Sequence, residues 1–171
     1  MLELEAVRVE MPAQAVLQQL ADRVVAIGLI HHQLDAPPDA LRMAFGTALL
    51  ALCGRIGEAY GRLAEITADV GDDPCEIDTR TAMRLSLVAN EVITNAFKHA
   101  FPVGRRGRIT LRLRCAGRQR VLSIVDDGVG YDPTAAYGTG SHLIRMFCET
   151  AGGKMRYEKG CESGTRFVLT F

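Results

Sequence analysis

The spacing of apolar residues along the chain predicts four helices. The first lies at 12–34, where leucine, valine and isoleucine form a broad apolar stripe, and the second, unusually apolar, lies at 39–60. Asp39 is the expected N-cap of the second helix. A third helix is predicted at 79–100 and a fourth at 140–151, which ends at a pair of glycines. Helices are therefore expected in every third of the sequence.

The alternation of apolar and polar residues predicts five strands after the second helix. The first strand precedes a turn at 71–74, and the next two are joined by Ala-Gly-Arg, which is typical of a hairpin. The last two strands form a second hairpin around Cys-Glu-Ser-Gly. The predicted strands lie at 62–70, 107–115, 118–128, 154–160 and 165–171.

This order of elements predicts an α+β fold. The strands pair locally as hairpins, and the helices do not alternate regularly with them. We therefore expect a two-layer α/β sandwich, in which a mixed, mostly antiparallel sheet is covered by helices on one face and is partly open on the other. This unit is predicted at 63–171, after a helical segment at 1–62.

Composition and charge narrow the class of protein. The 171 residues are 48% hydrophobic and 23% charged, as in ordinary soluble proteins, and their formal net charge is zero. Such a chain has no general attraction to nucleic acid or to anionic membranes. Apolar runs such as 24–30 are far shorter than the roughly 20 residues of a membrane span. The first ten residues lack the apolar core of a signal peptide, so we expect a cytoplasmic chain that does not insert into membranes.

Five cysteines are spread through the sequence without a Cys-x-x-Cys pair. Their odd number and wide spacing predict buried or partly buried thiols in a reducing cytoplasm. Apart from the adjacent His31 and His32, whose side chains diverge on a helix, no His or Cys pair has the spacing of metal ligands. The cysteines are Cys53, Cys75, Cys115, Cys148 and Cys161.

The third predicted helix carries an unusual polar face. Glu91, Asn95, Lys98 and His99 follow one another at i, i+4, i+7 and i+8, so their side chains share one side of the helix. A carboxylate and an amide one turn apart can bind a hard cation and position a water, and lysine suits phosphate oxygens. A solvated face with its own hydrogen bonds explains the same residues equally well.

Two glycine-rich stretches follow this helix in the second half of the chain. In Ile-Val-Asp-Asp-Gly-Val-Gly, a strand ends at Asp126 and Asp127, either of which can accept from an exocyclic amine such as that of adenine. A tight turn is the alternative. Gly138 and Gly140 precede a predicted helix, whose free N–H groups favour phosphate. The motif of a dinucleotide-binding fold and that of a P-loop are both absent.

Together with Ser-Gly-Thr-Arg-Phe, which opens the last strand, these segments resemble the nucleotide-binding boxes of the GHKL ATPases. That superfamily includes gyrase, heat-shock protein 90 and the histidine kinases. The helix pattern N-E-x-x-x-N-A-x-K-H-A-F-P is complete at 90–102, as in HWE-like or related histidine kinases. The other boxes follow in the family's order, and the resemblance covers 23–171. It implies the Bergerat-type ATP-binding fold, with ATP and Mg²⁺ as cofactors.

The resemblance also implies a role for each residue of the polar face. Asn95 is similar to the Mg²⁺ ligand of the family. Glu91 resembles the residue that orients the attacking group or a water. Lys98 and His99 are expected to contact the phosphates of the nucleotide.

The remaining boxes are expected to hold the adenine and to flank the phosphates. By resemblance, Asp126 accepts from the adenine amino group and Thr165 lies beside the base. Glycines are expected to let the chain pass close to the base or to the phosphates, and they are Gly128, Gly130, Gly138 and Gly140.

The acceptor histidine is the weak part of the resemblance. The string H-R-x-K-N, usual in the family's acceptor helix, does not occur. The segment ending in His31 and His32 resembles the second helix of a dimerisation and histidine-phosphotransfer domain, where His31 packs or caps. In an alternative alignment, His31 or His32 is the phospho-acceptor. The helical segment at 1–62 thus resembles part of such a domain, and 63–171 the catalytic domain.

The implied function is Mg²⁺-dependent phosphoryl transfer from ATP to a histidine and onward to the receiver domain of a response regulator. A homodimer through the N-terminal helices is implied as well. Two alternatives stay open. One is a serine kinase of the anti-sigma-factor type, and the other is a non-enzymatic phosphotransfer or scaffold protein with a vestigial nucleotide site.

A cluster of arginines precedes the first glycine-rich stretch. On a strand, Arg108, Arg112 and Arg114 point to one side. A solvated sheet edge is the simplest interpretation, and a contact surface for an acidic partner is the alternative. Nucleic acid is not expected there, because no aromatic residues interleave with the basic ones.

Overall fold

The computed structural model describes most of the chain after residue 41. The predicted helix at 12–34, the two histidines His31 and His32, and Gly138 lie outside the described residues. The described residues are 42–60, 64–102, 105–130, 139–160 and 163–171.

The described residues form three helices and seven strands. Every helix and strand predicted after residue 61 is confirmed, with ends that differ by only one or two residues. In chain order the elements are β1 (Arg42–Ala44), α1 (Phe45–Tyr60), β2 (Ala64–Asp69), β3 (Glu76–Asp78), α2 (Thr79–His99), β4 (Gly107–Ala116), β5 (Gln119–Asp126), α3 (Thr139–Thr150), β6 (Lys154–Lys159) and β7 (Thr165–Thr170).

Five of the strands form one sheet in the order β2-β4-β5-β7-β6. β2 runs parallel to β4, with Ala64 opposite Gly107. The other neighbouring strands of this sheet are antiparallel. Both predicted hairpins are present, as β4–β5 and β6–β7. The prediction of a mixed, mostly antiparallel sheet is therefore confirmed.

The helices cover one face of this sheet. Alternate residues of β4, namely Ile109, Leu111 and Leu113, are fully buried because strand side chains point to opposite faces in turn. Phe45 of α1 and Leu85 of α2 are fully buried in the same core. The predicted two-layer sandwich is therefore confirmed. The domain boundary predicted at 62–63 falls between α1 and β2 and stays a prediction.

α2 is the element that carries the polar face, and its sequence sets both ends. Asp78 is the N-cap: its Oδ1 accepts from the backbone N–H of Thr81 at 2.8 Å. That bond satisfies one of the donors that the first helical turn leaves unpaired. The helix ends at His99, shortly before Pro102, which cannot continue a helix. No helix within the described ranges is long and apolar enough to cross a membrane.

The second predicted helix differs from the observed one at its start. Residues 42–44 form β1 instead, which pairs antiparallel with β3, with Arg42 opposite Asp78. The helix predicted over 39–60 is therefore wrong at 42–44. These two strands of three residues are too short to give a periodic signal, and their pairing joins residues far apart in the sequence.

Two of the cysteines form a disulfide bond. Cys75 precedes β3 and Cys115 lies near the end of β4, with their Cα atoms 6.0 Å apart. The prediction that all five cysteines are thiols is wrong for this pair. Cys53 and Cys148 are buried thiols, and burial raises their pKa to about 11 and about 12, so both stay un-ionised.

The arginines of β4 lie on the face of the sheet opposite the helices. Arg108 forms an ion pair with Glu65, and Arg114 forms another with Asp69, both on β2. Because β4 lies between β2 and β5, these arginines are on an open face of an inner strand. The side chains of Arg108, Arg112 and Arg114 are exposed, so the prediction that they are solvated is confirmed. The prediction that they lie at a sheet edge is wrong.

Candidate functional site

The polar face of α2 is present and graded in burial. Glu91 is only 8% exposed, Asn95 and Lys98 are half-buried, and His99 is exposed at the last turn. Such a gradient is expected where one end of a helix face packs against another element and the other opens to solvent. The face is therefore not a fully solvated stripe.

The carboxylate of Glu91 lies against the first turn of α3. Gly140 is so close to it that a β-carbon at residue 140 would collide with Glu91 Oε1. The first turn of a helix has unpaired N–H groups and a partial positive charge, both of which favour a nearby anion. The structure thus brings together the predicted acid of α2 and a predicted phosphate-flanking glycine of α3.

Asp126 is a buried carboxylate at the end of β5. It is 7% exposed, and its Oδ1 accepts from the backbone N–H of Gly128 at 3.0 Å and of Thr165 at 3.2 Å. Burial raises the pKa of this carboxyl, although the hydrogen bonds from both partners oppose that shift. The structure therefore joins two segments that the sequence places far apart, the end of β5 and the start of β7.

The glycine loop after Asp126 packs against the end of α2. A β-carbon at Gly128 would collide with the carbonyl of Ala100, and the N–H of Val129 donates to that same carbonyl at 3.0 Å. Only a residue without a side chain allows this approach. Gly130 follows with a positive φ of 95°. The loop is thereby fixed beside the polar face.

Two residues that sequence reasoning did not assign to the site complete this junction. A β-carbon at Gly164 would collide with the carbonyl of Asp126, so Gly164 lets β7 begin beside the carboxylate. Val129 is 58% exposed, which places an apolar side chain on the surface of the loop. Gly164 lies in the Ser-Gly-Thr-Arg-Phe segment that resembles a nucleotide-binding box, but only Thr165 of that segment was assigned a role. Nothing in the local pattern indicated that Val129 is exposed.

At the exposed end of the polar face, His99 adds little positive charge to that of Lys98. Loss of hydration lowers the pKa of His99, and the neighbouring Lys98 lowers it further. The imidazole is therefore mostly in its neutral form at pH 7, since its ordinary pKa of 6.5 is already below that pH. Neutral His99 can still donate one hydrogen bond to a phosphate oxygen.

The donor set suits a magnesium ion that arrives with a phosphate ligand. Across the part of the chain that the structure describes, no group of three or more His, Cys, Asp or Glu side chains could hold a metal. Asn95 offers a neutral amide oxygen, which is a hard donor. Mg²⁺ is usually bound by one or two protein oxygens, waters and the phosphates of a substrate. The residues present fit that arrangement.

This sandwich and its site define an ATPase domain. The chain belongs to the family described as Histidine kinase-, DNA gyrase B-, and HSP90-like ATPase, which matches residues 80–171. The matched range contains every segment of the site, from the polar face of α2 to the start of β7. The resemblance to the GHKL ATPases inferred from the sequence is therefore confirmed, and the HWE-like subfamily stays a prediction.

Similar proteins include kinases of two kinds. The chain is 28% identical over 149 residues to Blue-light-activated histidine kinase 2 of Erythrobacter litoralis, covering 82% of this chain and 43% of that protein. It is 42% identical over 57 residues to the serine/threonine-protein kinase BtrW of Bordetella bronchiseptica, covering 33% of this chain and 40% of that protein. The chain thus spans less than half the length of these two relatives.

The fold also matches solved structures. The histidine kinase domain of the Erythrobacter litoralis EL346 blue-light activated histidine kinase superposes with a TM-score of 0.73 at 24% identity. The match covers 90% of this chain and 74% of that one. At this identity the likeness shows that the fold is shared.

Proposed function

We propose that this chain is the ATP-binding catalytic domain of a two-component sensor histidine kinase. A histidine nitrogen attacks the γ-phosphorus of ATP, the bond from phosphorus to the bridging oxygen breaks, and ADP leaves. The phosphoryl group then passes to an aspartate of a response regulator receiver domain. The observation that carries the proposal is the buried Asp126, held between the glycine loop and β7 in a chain of this ATPase family.

Adenine recognition is assigned to Asp126. A carboxylate has about four acceptor sites. The backbone N–H groups of Gly128 and Thr165 use part of this capacity, and the Thr165 hydroxyl adds a third hydrogen bond. The remaining capacity suits one N–H of an exocyclic amine. Exposed Val129 offers an apolar surface for a purine ring on the same loop.

The triphosphate is assigned to the polar face of α2 and to the first turn of α3. Lys98 supplies a positive charge and neutral His99 a hydrogen bond to phosphate oxygens. Asn95 would hold Mg²⁺, which neutralises phosphate charge when it is bound with the nucleotide. Glu91, fixed against Gly140, is assigned to orienting the attacking imidazole or a water.

The partners and the location follow from this chemistry. A domain that uses ATP and hands its phosphoryl group to a receiver domain works in the cytoplasm. We further propose a homodimer through the N-terminal helical segment, with His31 and His32 as the candidate acceptors to be tested. The similarity to a named histidine kinase over 82% of the chain supports these assignments.

Phosphotransfer with radiolabelled ATP and Mg²⁺ tests the proposal. The chain is incubated alone, with a histidine-phosphotransfer domain and with receiver domains, and the labelled protein is treated with acid or base. We expect a label that is lost in acid and kept in base, as for phosphohistidine. The variant Asn95→Ala serves as the inactive control. Calorimetry that detects no binding of Mg-ATP would contradict the proposal and favour a vestigial site.

A serine kinase of the anti-sigma-factor type is the second candidate. The observation in its favour is the 42% identity to BtrW over 57 residues. The same labelling experiment separates the two, because phosphoserine survives acid. An acid-stable label on a small partner protein would replace the histidine kinase assignment with this one.

A further inference from the structure

Arg84 is a buried arginine on the face of α2 that carries Glu91 and Asn95. Residues 84, 91 and 95 are seven and four positions apart, so their side chains lie on one side of the helix. Arg84 is only 7% exposed, although arginine is almost never fully buried unless it is paired. Loss of hydration lowers the pKa of its guanidinium. The burial of this positive charge therefore calls for a compensating interaction.

The guanidinium of Arg84 reaches the end of α3. Its Nη1 donates to the carbonyl of Thr150, the last residue of that helix, at 3.4 Å. Its Nε is buried and has no hydrogen-bond partner. The carboxylate of Asp78 favours the charged form of Arg84 from a distance, and the hydrogen bond that this guanidinium makes within the described residues goes to a helix terminus.

That terminus lacks a donor for one carbonyl. Backbone bonds close the last turn of α3: Gly152 donates to the carbonyl of Glu149 at 2.9 Å, and Gly153 to that of Cys148 at 2.8 Å. Neither bond uses the carbonyl of Thr150, which Arg84 satisfies instead. A cation at the C-terminal end of a helix also interacts favourably with the helix dipole.

In addition to their apolar packing in the core, α2 and α3 are joined by polar side chains at two points. Arg84 contacts Thr150 at the end of α3, and Glu91, two turns further along α2, contacts Gly140 at the start of α3. The two helices consequently run antiparallel along this face. The contact between Arg84 and Thr150 fixes the C-terminal end of α3, and the N-terminal end of α3 is the one assigned to the phosphates.

We propose that Arg84 is a positioning residue for triphosphate binding: it fixes α3 along α2, so that the N–H groups of the first turn of α3 stay aimed at the phosphates. The inference rests on the proposed function for its ligand. An apolar side chain of similar size would fill the same space without the loss of hydration, and the replacement of buried ion pairs by apolar side chains is often neutral or stabilising for the fold alone. Unlike an apolar side chain, the guanidinium also fixes the direction of α3 relative to α2.

The test compares Arg84→Met and Arg84→Lys with the wild type. Arg55→Met on the exposed side of α1 is the matched control. Calorimetry measures the affinity for Mg-ATP and for adenosine, which has no phosphates. Hydrogen exchange measures the protection of α3 amides in the absence of nucleotide.

In Arg84→Met, we expect the affinity for Mg-ATP to fall by about tenfold, in line with a helix-terminus charge in a partly buried place. The affinity for adenosine should change less than about twofold, within the effect of a single exposed charge. α3 amides should exchange faster than in the control. Arg84→Lys keeps a cation and should restore part of both properties.

Equal losses for Mg-ATP and adenosine, or unchanged exchange of α3, would overturn the inference and leave Arg84 a packing residue. If Arg84→Met does not fold, the comparison of Arg84→Lys with the wild type decides by the same two readouts. If the wild type binds no nucleotide, the proposed function fails, and faster exchange of α3 in the variants still supports the contact with Thr150. Unchanged exchange in that case refutes it.

Discussion

Gly140 and Glu91 are so close that a β-carbon at position 140 would collide with the carboxylate of Glu91 where it now lies. The carboxylate of Glu91 occupies the space of a missing β-carbon at the first turn of α3. Since Glu91 is buried, it has little room to move away. This contact ties the start of α3 to the middle of α2, and it is the basis of the first prediction.

Gly140→Ala should reduce both stability and triphosphate binding. The added methyl group displaces Glu91 or α3, and overpacking of this kind typically costs about 1–3 kcal/mol. Chemical denaturation measures the free energy of unfolding, and calorimetry measures the affinity for Mg-ATP. The control is Gly57→Ala in α1, where a β-carbon meets nothing within 4 Å, so that alanine should stabilise the helix slightly. A stable Gly140→Ala with wild-type affinity would show that the contact is not needed.

Asp126→Asn should separate stability from adenine recognition. The amide oxygen can still accept from Gly128 and Thr165, and the cost of burying a charge disappears, so stability should be unchanged or higher. The amide places a donor in a position that needs an acceptor for the adenine amine. A hydrogen bond to a charged group is worth about 1.5–3 kcal/mol, so the affinity for ATP should fall roughly 10- to 100-fold. Undiminished ATP binding in a folded variant would refute this role of Asp126.

ATP binding should weaken as the pH falls through the raised pKa of Asp126. Burial raises that pKa above its ordinary value of 3.8, so the carboxyl takes up a proton at a higher pH than in the unfolded chain. The protonated form is favoured by folding, so this group lowers the stability of the free protein at neutral pH. That effect is lost progressively as the pH falls from the folded pKa to the ordinary value of 3.8. Binding needs the ionised form. Calorimetry at falling pH should show a loss of affinity that is absent in Asp126→Asn.

Asn95→Ala should remove the effect of magnesium on nucleotide binding. Asn95 is half-buried beside Lys98 and His99, and its amide oxygen is the proposed protein ligand of the ion. The variant should bind ATP with one affinity whether or not Mg²⁺ is present. Thermal unfolding should match the wild type, because the side chain lies outside the hydrophobic core. A magnesium effect that persists at its wild-type size would contradict the assignment.

Reduction of the disulfide between Cys75 and Cys115 should destabilise the fold. The bond closes a loop over a sequence separation of 40 residues, which includes all of α2. Loops of such length typically gain about 2–4 kcal/mol from a disulfide. The free energy of unfolding is measured with and without a thiol reductant. The double variant Cys75→Ser, Cys115→Ser should not respond to the reductant, and a wild type equally insensitive would show that the bond contributes nothing.

Some features of the site could be predicted from the sequence because they depend on local patterns. The period of α2 places Glu91 and Asn95 on one face whatever packs against it. The alternation in β4 predicts that Ile109 is buried and Arg112 exposed, as observed. The order of the glycine-rich segments pointed to the ATPase family. The first two follow from which side of an element is apolar, and the third follows from the order of local motifs.

The partners across the fold were decided by the tertiary structure. No local pattern indicates that Cys75 meets Cys115, or that Arg84 reaches Thr150 at the end of α3. The pairing of β1 with β3 was missed for the same reason. The period of apolar residues indicates which face of an element is buried. The partner of a buried group depends instead on how distant elements pack, which is a property of the whole chain. The sequence alone thus determined most of the described helices and strands, their buried faces and the family, and the packing of α2 against α3 and the glycine loop decided how the site is built.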